Sequence, residues 1–311
     1  MIRFTLRRLF QMIPTIIAVA LLIFIIFSVV PGSFASSLIA DGRSANDPAY
    51  VEQLNREFGL DKPMYIRFFS YIGDLAQFDL GTSFRTRQPV WDLISDRISA
   101  SLILAAAAMV FAVVIGVPLG FLAALKPGSI LDTSTMIGAV SGLSMPQFWL
   151  GLLMMYLFSL TLGWFPSFGY GGGDFQHLVL PAITLGVTPL ALLARTTRAG
   201  VLDVMNADFI RTAQSKGMSS ARVVQWHVVR NVLVLVVTTI GLQFGSMMGQ
   251  AVVIEKLFSW PGVGSLLVDS VALRDIPVVQ GTILVIVLWF LLINTAVDIL
   301  YAAIDPRIKQ V

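Results

Sequence analysis

Residues 281–297 read GTILVIVLWFLLINTAV, and no side chain in this stretch is charged. A helix needs about 20 mostly apolar residues to cross the hydrocarbon core of a bilayer, and the apolar segment around this stretch is long enough. Five further segments have a similar character. The six segments cover residues 9–30, 99–125, 133–160, 178–194, 232–254 and 278–303. We therefore predict an all-α integral membrane protein with six transmembrane helices.

The composition of the whole chain agrees with a lipid environment. Of its 311 residues 56% are hydrophobic and 13% are charged, whereas an ordinary soluble domain has about 25% charged residues. A soluble enzyme is therefore excluded. The absence of cysteine excludes a disulfide scaffold and an iron–sulfur site. The net charge of +3 is too small to indicate a nucleic-acid partner.

The first and the fourth segments have features that the other four lack. The first follows a basic start and could be a signal peptide, but its apolar stretch of about 22 residues exceeds the usual 7–15, which favours a retained anchor. The fourth is interrupted by Pro181 and Pro189. The carbonyl groups that these prolines free need partners inside the protein. We therefore expect the fourth span to pack among its neighbours.

The distribution of Lys and Arg predicts the orientation, because cytoplasmic loops are enriched in basic residues. With a cytoplasmic N-terminus, the inside segments hold 12 of the 21 basic residues, and the short outside loops hold only Lys256 and Arg274. The other seven lie in residues 31–98, a segment long enough to be translocated regardless of its charge. We expect both termini to be cytoplasmic.

The external segment, residues 31–98, is predicted to contain two short helices. Asp47 and Pro48 suit the start of the first helix. The second helix follows Pro63, and its apolar residues recur at helical spacing at Met64, Phe68, Tyr71 and Leu75. The segment is expected either to cap the membrane domain or to dock a partner.

The inside loop, residues 195–230, is far longer than an ordinary helix–helix connection. Apolar residues recur in it at three-to-four spacing on both sides of Gly217, a residue free to redirect the chain. We predict a helix–glycine–helix elbow on the cytoplasmic face. The residues alone favour equally a cytosolic protein and an anionic lipid surface as the contact partner of this elbow.

The outside segment, residues 255–280, contains the turn-forming sequence PGVG at 261–264. Phe258 and Trp260 are residue types that suit the aromatic belt of a membrane interface. The segment is expected to form an outer gate involving Phe258, Trp260 and Pro261, or else a simple interfacial helix.

Polar and small residues inside the spans are the candidates for a translocation path. The polar candidates are Ser144, Gln243 and Asn294. The small ones are Gly241, Gly245 and Gly249, whose spacing also suits close helix packing. Membrane-embedded charge pairs are missing from the spans, so a proton- or sodium-driven relay is not supported.

Catalytic and metal-binding motifs are absent from the sequence. His177 and His227 are predicted on opposite sides of the membrane, so they cannot share a metal. No Gly-Lys dipeptide occurs, which excludes the usual phosphate-binding loop of an ATPase. We predict no catalytic and no metal-ligating residue, and energy for uphill transport must come from another polypeptide.

A series of short motifs runs through the whole chain. They are RRL at 7–9, PG at 31–32, FGLDKP at 58–63, LGTS at 80–83, FWLG at 148–151, LGWFP at 162–166, LPAITLG at 180–186, DFIRTA at 208–213, KG at 216–217, FSWPGVG at 258–264 and DPR at 305–307. In this order they resemble, from end to end, the first of the two membrane permease subunits of peptide-type ATP-binding-cassette (ABC) importers. That group includes dipeptide, oligopeptide, glutathione and nickel importers.

This resemblance implies an architecture. It is the type I ABC importer permease fold with an external two-helix segment after the first span. Residues 1–30 would form the cytoplasmic N-terminus and first span, residues 31–98 the external segment, and residues 99–311 a five-helix core that includes the coupling segment 195–230.

The resemblance also implies that the elbow couples the permease to its ATPase. The family pattern E-A-A-x-x-x-G is matched by Ala213 and Gly217, while its first two positions are Arg211 and Thr212 here. A proline common in relatives is replaced by Leu235, so the fifth span is expected to be less kinked at its start. The residues implied in coupling are Asp208, Arg211, Thr212, Ala213, Lys216 and Gly217.

The implied function is that of a permease subunit in a bacterial inner membrane. Its partners would be a second homologous permease subunit, two ATP-binding subunits and an extracytoplasmic solute-binding protein. The chain would hold no cofactor itself, since ATP and Mg²⁺ would be bound by the ATPase subunits. The expected solute is a short peptide or peptide-like compound, with glutathione and nickel chelates as alternatives. A stand-alone channel, a secondary transporter and a non-transporting scaffold are the alternatives from other classes.

Overall fold

The computed structural model describes residues 2–29, 56 and 61–304, and nearly all of this part of the chain is helical. The helices are α1 Ile2–Val29, α2 Met64–Ala76, α3 Val90–Leu125, α4 Ile130–Ser144, α5 Gln147–Met154, α6 Phe175–Met205, α7 Asp208–Ser215, α8 Ser220–Val223, α9 Val229–Leu257, α10 Val263–Ala272 and α11 Ile276–Ile304. A π-helical segment, Met155–Thr161, extends α5, and another, Val224–Val228, joins α8 to α9. The prediction of an all-α membrane fold is confirmed.

Five of the predicted spans are continuous helices that are long and apolar enough to cross a membrane. The third is not: α4 and α5 are bent by 107° at a break between them. The segment predicted as the third span, residues 133–160, is therefore divided into two helices by a sharp bend. The cause is Pro146, because a proline forces the residue before it out of the helical conformation, and Met145 is indeed extended at φ −79° and ψ 129°.

The helices extend well beyond the apolar segments that predicted them. Helix α3 begins at Val90, and α6 runs from Phe175 to Met205. The N-terminus of α6 is capped by Asp174, whose carboxylate accepts the backbone N–H of His177 at 2.9 Å. Hydropathy could not find these ends, because they are polar on the side that faces away from the core.

Helix α6 lies at the centre of the bundle. In its most apolar window 56% of the residues are buried, compared with 22–33% in the other four continuous spans. Helix α3 approaches it closely: a Cβ atom added to Gly120 would lie 2.2 Å from the carbonyl oxygen of Ala194, and one added to Gly116 would lie 2.6 Å from that of Leu190. The expectation that the proline-containing fourth span packs among its neighbours is confirmed.

Two ion pairs tie helices together near the elbow end of the bundle. The Arg198 guanidinium on α6 binds the buried Asp132 carboxylate on α4 with two hydrogen bonds, of 2.5 and 2.8 Å. Arg8 on α1 lies 3.3 Å from Asp298 on α11. Asp298 therefore has a charged partner within the protein.

The second predicted external helix is confirmed as α2, which begins directly after Pro63. Its residues Tyr71, Ile72 and Leu75 pack against the buried residues Ala20 and Ile23 of α1. The first predicted external helix, around Asp47, lies outside the described residues.

Candidate functional site

The elbow predicted at Gly217 is present between α7 and α8. Gly217 has φ +82°, and a Cβ atom there would meet nothing within 4 Å. The backbone angle, rather than crowding, therefore requires glycine. The N–H of Gly217 donates to the Gln214 carbonyl at 2.9 Å, and that of Met218 donates to Ala213 at 3.2 Å, which closes the end of α7 as a glycine C-cap.

The inner face of the elbow is apolar and anchored in the main core. Ile210 and Ala213 on α7 are buried there together with Val223 and Val228 beyond the turn. Four buried apolar side chains on both sides of Gly217 fix the position of α7 relative to the membrane helices. Ala213, one of the six predicted coupling residues, thus faces the core and is not available to a partner.

The outer face of the elbow carries the other predicted coupling residues. Asp208, Arg211, Thr212, Lys216 and Gly217 are all exposed. Arg211 lies 3.8 Å from Asp208, but both side chains are largely in solvent, where such a pair contributes little. This face is therefore accessible to a partner protein, and its charged residues are Asp208, Arg211 and Lys216.

Two exposed aromatic residues belong to the same elbow and were missed as surface residues. Phe209 belongs to the apolar pattern that predicts the elbow, but its side chain is exposed. Trp226 is 64% exposed, and its neighbour His227 has its ring centroid 6.4 Å from that of Phe209. The available signal was the position of Trp226 between Arg222 and Arg230, a setting unlike that of a core aromatic residue.

The glycine stripe on α9 has two different environments. A Cβ atom on Gly241 would lie 2.2 Å from Cγ2 of Val297, and one on Gly245 would lie 3.2 Å from Oδ1 of Asn294, so both glycines face α11. Gly249 is exposed, and a Cβ atom there would meet nothing within 4 Å. Close helix packing thus accounts for two of the three glycines.

The polar path candidates are not gathered in one place. Ser144 is exposed beside the break after α4, and its hydroxyl donates to the Val140 carbonyl. Gln243 is half-buried on α9. The amide oxygen of Asn294 is buried and has no hydrogen-bond partner among the described residues.

A side-chain hydrogen-bond network that was not predicted connects three helices at the break. The Gln147 amide, on the first residue of α5, donates to Thr188 on α6 and to Gln250 on α9, both at 3.1 Å. Gln250 in turn donates to Ser246 at 3.0 Å. All four residues are half-buried, so the network has one side accessible. The signal for it was Pro146, which places Gln147 at a helix start.

The outer hairpin, defined here as residues 255–272, contains the three residues Phe258, Trp260 and Pro261 that were expected in an outer gate or an interfacial helix. Phe258 and Trp260 are fully buried, and the Trp260 indole N–H donates to the Ala100 carbonyl at 2.9 Å. Pro261 is half-buried in the turn. The expectation that the two aromatic residues lie in an interface belt is therefore wrong, because Trp260 satisfies its N–H within the protein.

Glu255 is the centre of the hairpin and is only 1% exposed. Its carboxylate accepts the Ser101 hydroxyl at 2.5 Å and the backbone N–H groups of Ser265 at 3.0 Å and of Gly264. Ser101 accepts the N–H of Val263 at 2.8 Å. The free N–H groups in the first turn of α10 are thus satisfied by side chains of α9 and α3.

A second buried carboxylate holds the loop before α3. Asp275, at the start of α11, accepts the hydroxyl of the fully buried Ser83 at 2.5 Å and the backbone N–H of Phe84 at 3.1 Å. Glu255 and Asp275 lie near the two ends of the segment 255–280, for which no buried acid was predicted. Both outer loops are instead fixed by an acid that binds a serine and backbone N–H groups of another segment.

Comparison with known proteins identifies the class to which this bundle belongs. The family model described as the binding-protein-dependent transport system inner membrane component matches residues 116–310, and the model for the N-terminal part of such membrane components matches residues 1–105. In solved structures, the inward-facing MetNI methionine ABC transporter has a chain that matches with a TM-score of 0.58 at 19% identity, over 68% of this chain and 96% of that one. An amino acid ABC transporter solved with histidines matches with a TM-score of 0.56 at 14% identity, over 68% and 94%.

Full-length relatives are more similar still. The glutathione transport system permease protein GsiC of Escherichia coli strain K12 is 44% identical over 309 residues, which are 99% of both chains. Its counterpart in Shigella boydii is 43% identical over the same share. The chain therefore belongs to the family of binding-protein-dependent transport system inner membrane components and is the permease of an ABC importer.

Proposed function

We propose that this permease forms half of the translocation pathway for a short peptide of the glutathione class and is driven through its elbow by separate ATPase subunits. The observation that carries the coupling role is the two-sided elbow. Buried Ile210, Ala213, Val223 and Val228 anchor it to the helices, and its outer face is exposed and charged.

The anchoring explains how force would pass from the cytosol to the membrane. A segment transmits a displacement only if it is packed tightly enough to move with the helices behind it. Helix α7 follows α6 after two residues, and α6 is the most buried span. A push on α7 would thus reach α6 directly and α3 through the close contacts at Gly116 and Gly120.

The solute class rests on the full-length relatives, which are glutathione transport system permease proteins. Glutathione is a peptide, so it falls within the short-peptide class that the motifs imply. The accessible amides of Gln147 and Gln250 at the helix break can donate to and accept from peptide groups. We assign them, with Ser144 and Gln243, to the wall of the path.

The partner set follows from the same function. A second homologous permease completes the pathway, two ATP-binding subunits carry ATP and Mg²⁺ and dock at the elbow, and an extracytoplasmic binding protein delivers the solute. The chain itself needs no cofactor. The basic residues of the elbow support a cytoplasmic location of both termini under the positive-inside rule, and a reporter fused to either end would test it.

The decisive experiment compares ATP-driven uptake in proteoliposomes that contain the full set of subunits. The double variant Arg211→Glu/Lys216→Glu inverts two exposed charges on the elbow without touching its buried face. We expect it to lose at least about tenfold in uptake, because like-charge juxtaposition in an interface costs several kcal/mol. Lys126→Gln, an exposed cation at the end of α3 beyond the elbow, is the matched control and should transport normally.

Two results would contradict the proposal. One is wild-type uptake by the double variant, which would separate the elbow from coupling. The other is robust glutathione transport by this chain reconstituted alone, which would make it a self-sufficient channel or secondary transporter. Dipeptides and nickel chelates are then added as competitors of labelled glutathione uptake, and the degree of inhibition ranks the solutes by preference.

A further inference from the structure

A small cavity lies at the end of the bundle opposite the elbow, where the last turns of α1 meet α2 and the start of α11. Its volume is about 130 Å³. Since a water molecule occupies about 30 Å³ of liquid, this space is large enough for a phosphate or carboxylate group. Its wall combines aromatic rings with polar groups: Phe24, Ser28, Arg67, Tyr71, Phe84 and Gln280.

Arg67 brings a positive charge to this cavity that no described acidic residue neutralises. Its guanidinium carbon lies 5.9 Å from the centroid of the Phe24 ring, and none of the ion pairs in the described part of the chain involves it. Partial burial lowers the pKa of Arg67. A half-buried cation without a counter-charge is unfavourable unless an anion binds beside it.

Tyr71 adds a second unused donor on the same face of α2. It follows Arg67 by four residues, so the two side chains are neighbours on the helix. Its ring stacks on Phe24 with a centroid distance of 6.1 Å, while its hydroxyl is buried and makes no hydrogen bond within the described structure. A buried hydroxyl without a hydrogen-bond partner in the described structure, beside a half-buried guanidinium, is complementary to an oxyanion.

The surroundings of the cavity indicate that this oxyanion carries an apolar tail. Tyr65 and Phe69, on the side of α2 away from the core, are 65% and 70% exposed. A helix that is apolar on both sides and carries a cation is suited to the headgroup region of a bilayer. The apolar window of α1 is only 22% buried, so most of its side chains lie on the surface of the bundle.

We propose that this cavity binds the phosphodiester headgroup of an anionic phospholipid such as phosphatidylglycerol. Arg67 and Tyr71 donate to the phosphate oxygens, Gln280 and Ser28 lie within the same wall for the glycerol hydroxyls, and the acyl chains lie along α1. The site is separate from the elbow and from the solute path, and it ties α2 to the membrane surface.

The test measures lipid binding to the full-length chain, extracted with its partner subunits and freed of lipid in detergent. Water-soluble dihexanoyl-phosphatidylglycerol is titrated and adducts are counted by native mass spectrometry, in parallel with dihexanoylglycerol, which lacks the phosphate, and with inorganic phosphate. We expect Arg67→Gln to weaken phosphatidylglycerol binding at least about tenfold and Tyr71→Phe about threefold. Arg67→Lys should retain most of the binding. Arg274→Gln, an exposed cation at the same end of the bundle, is the matched control and should bind like the wild type.

Each outcome of this experiment either supports or overturns the lipid-binding proposal. Loss in Arg67→Gln and Tyr71→Phe with normal binding in Arg274→Gln supports the site, and Tyr71→Phe carries the result if Arg67→Gln proves unstable. Equal affinity of Arg67→Gln and wild type overturns the proposal. So does inorganic phosphate that binds as tightly as phosphatidylglycerol with the same dependence on Arg67, because the source of the anion would then be free phosphate.

Discussion

Replacing Glu255 by alanine is expected to loosen the outer hairpin more than any single exposed change at that end of the molecule. The substitution removes the acceptor of three hydrogen bonds, from the Ser101 hydroxyl and from the N–H groups of Gly264 and Ser265. All three donors lie in buried residues. None of them can turn to bulk water without movement of α10.

The magnitude follows from the cost of unsatisfied groups. Each buried donor left without a partner destabilises by about 1–3 kcal/mol. Water that enters the space vacated by the side chain recovers part of this. We therefore expect Glu255→Ala to lower the free energy of unfolding by about 3 kcal/mol. Glu255→Gln retains one acceptor oxygen and should lose about half as much.

The assay is thermal denaturation of the detergent-solubilised protein, followed by the fraction that remains monodisperse on size-exclusion chromatography. Membrane proteins often unfold irreversibly, so all variants are heated at one scan rate. The matched control is Asp269→Ala on the same hairpin. Its carboxylate pairs with Lys256 at 2.5 Å, but both side chains are nearly half exposed, and such pairs contribute at most about 1 kcal/mol.

The order of the three variants is the prediction: Asp269→Ala nearest to wild type, Glu255→Gln lower, and Glu255→Ala lowest. If Glu255→Ala melts together with Asp269→Ala, then the buried carboxylate does not hold α10. The hairpin would in that case be fixed by Phe258 and Trp260 alone.

Three further predictions concern glycine positions and one helix cap. Gly262→Ala should destabilise the protein strongly, because its Cβ would lie 2.2 Å from the Glu255 carboxyl carbon. Gly249→Ala, where a Cβ meets nothing within 4 Å, should leave the melting temperature unchanged or slightly higher. Equal melting temperatures of the two variants would contradict the packing described. Proline at position 217 cannot adopt φ +82°, so Gly217→Pro should abolish ATP-driven uptake. Membrane insertion, measured as the level of protein in the membrane fraction, should stay normal. Asparagine tolerates a positive φ, so Gly217→Asn should keep substantial uptake. The pKa of Asp174 is lowered first by the hydrogen bond from the backbone N–H of His177 and then by the His177 side chain. The stability that this cap contributes is therefore present above the unfolded-state pKa and is lost as the pH falls through the lower folded-state pKa. Asp174→Asn should remove this dependence of the melting temperature on acid pH.

The spans could be predicted from the sequence because hydropathy distinguishes helices surrounded by lipid from helices surrounded by water. The break in the third span could not. Pro14, Pro118, Pro181 and Pro189 all lie inside unbroken helices, and only Pro146 interrupts one. The effect of a proline on a membrane helix depends on whether neighbouring groups satisfy the freed carbonyl. That information is tertiary and does not appear in the local sequence.

The buried acids at the outer loops were missed for a related reason. Glu255 and Asp275 flank a segment that contains a lysine, an arginine and turn residues, so each appears to be an ordinary loop charge. Their partners Ser101 and Ser83 are 154 and 192 positions away. The only local signs were Gly262 and Gly264, whose missing side chains leave room for the Glu255 carboxylate.

The elbow shows what a short recurring pattern can and cannot specify. Its two matching positions, Ala213 and Gly217, set the shape of the segment: the first is small enough to be buried against the core, and the second supplies the left-handed turn. Neither presents a side chain to the cytosol. The exposed groups Phe209, Lys216 and Trp226 lie between or beyond the matched positions. A pattern of this kind therefore specifies how the elbow is anchored, and the residues available to the proposed ATPase partner are those that the fold exposes.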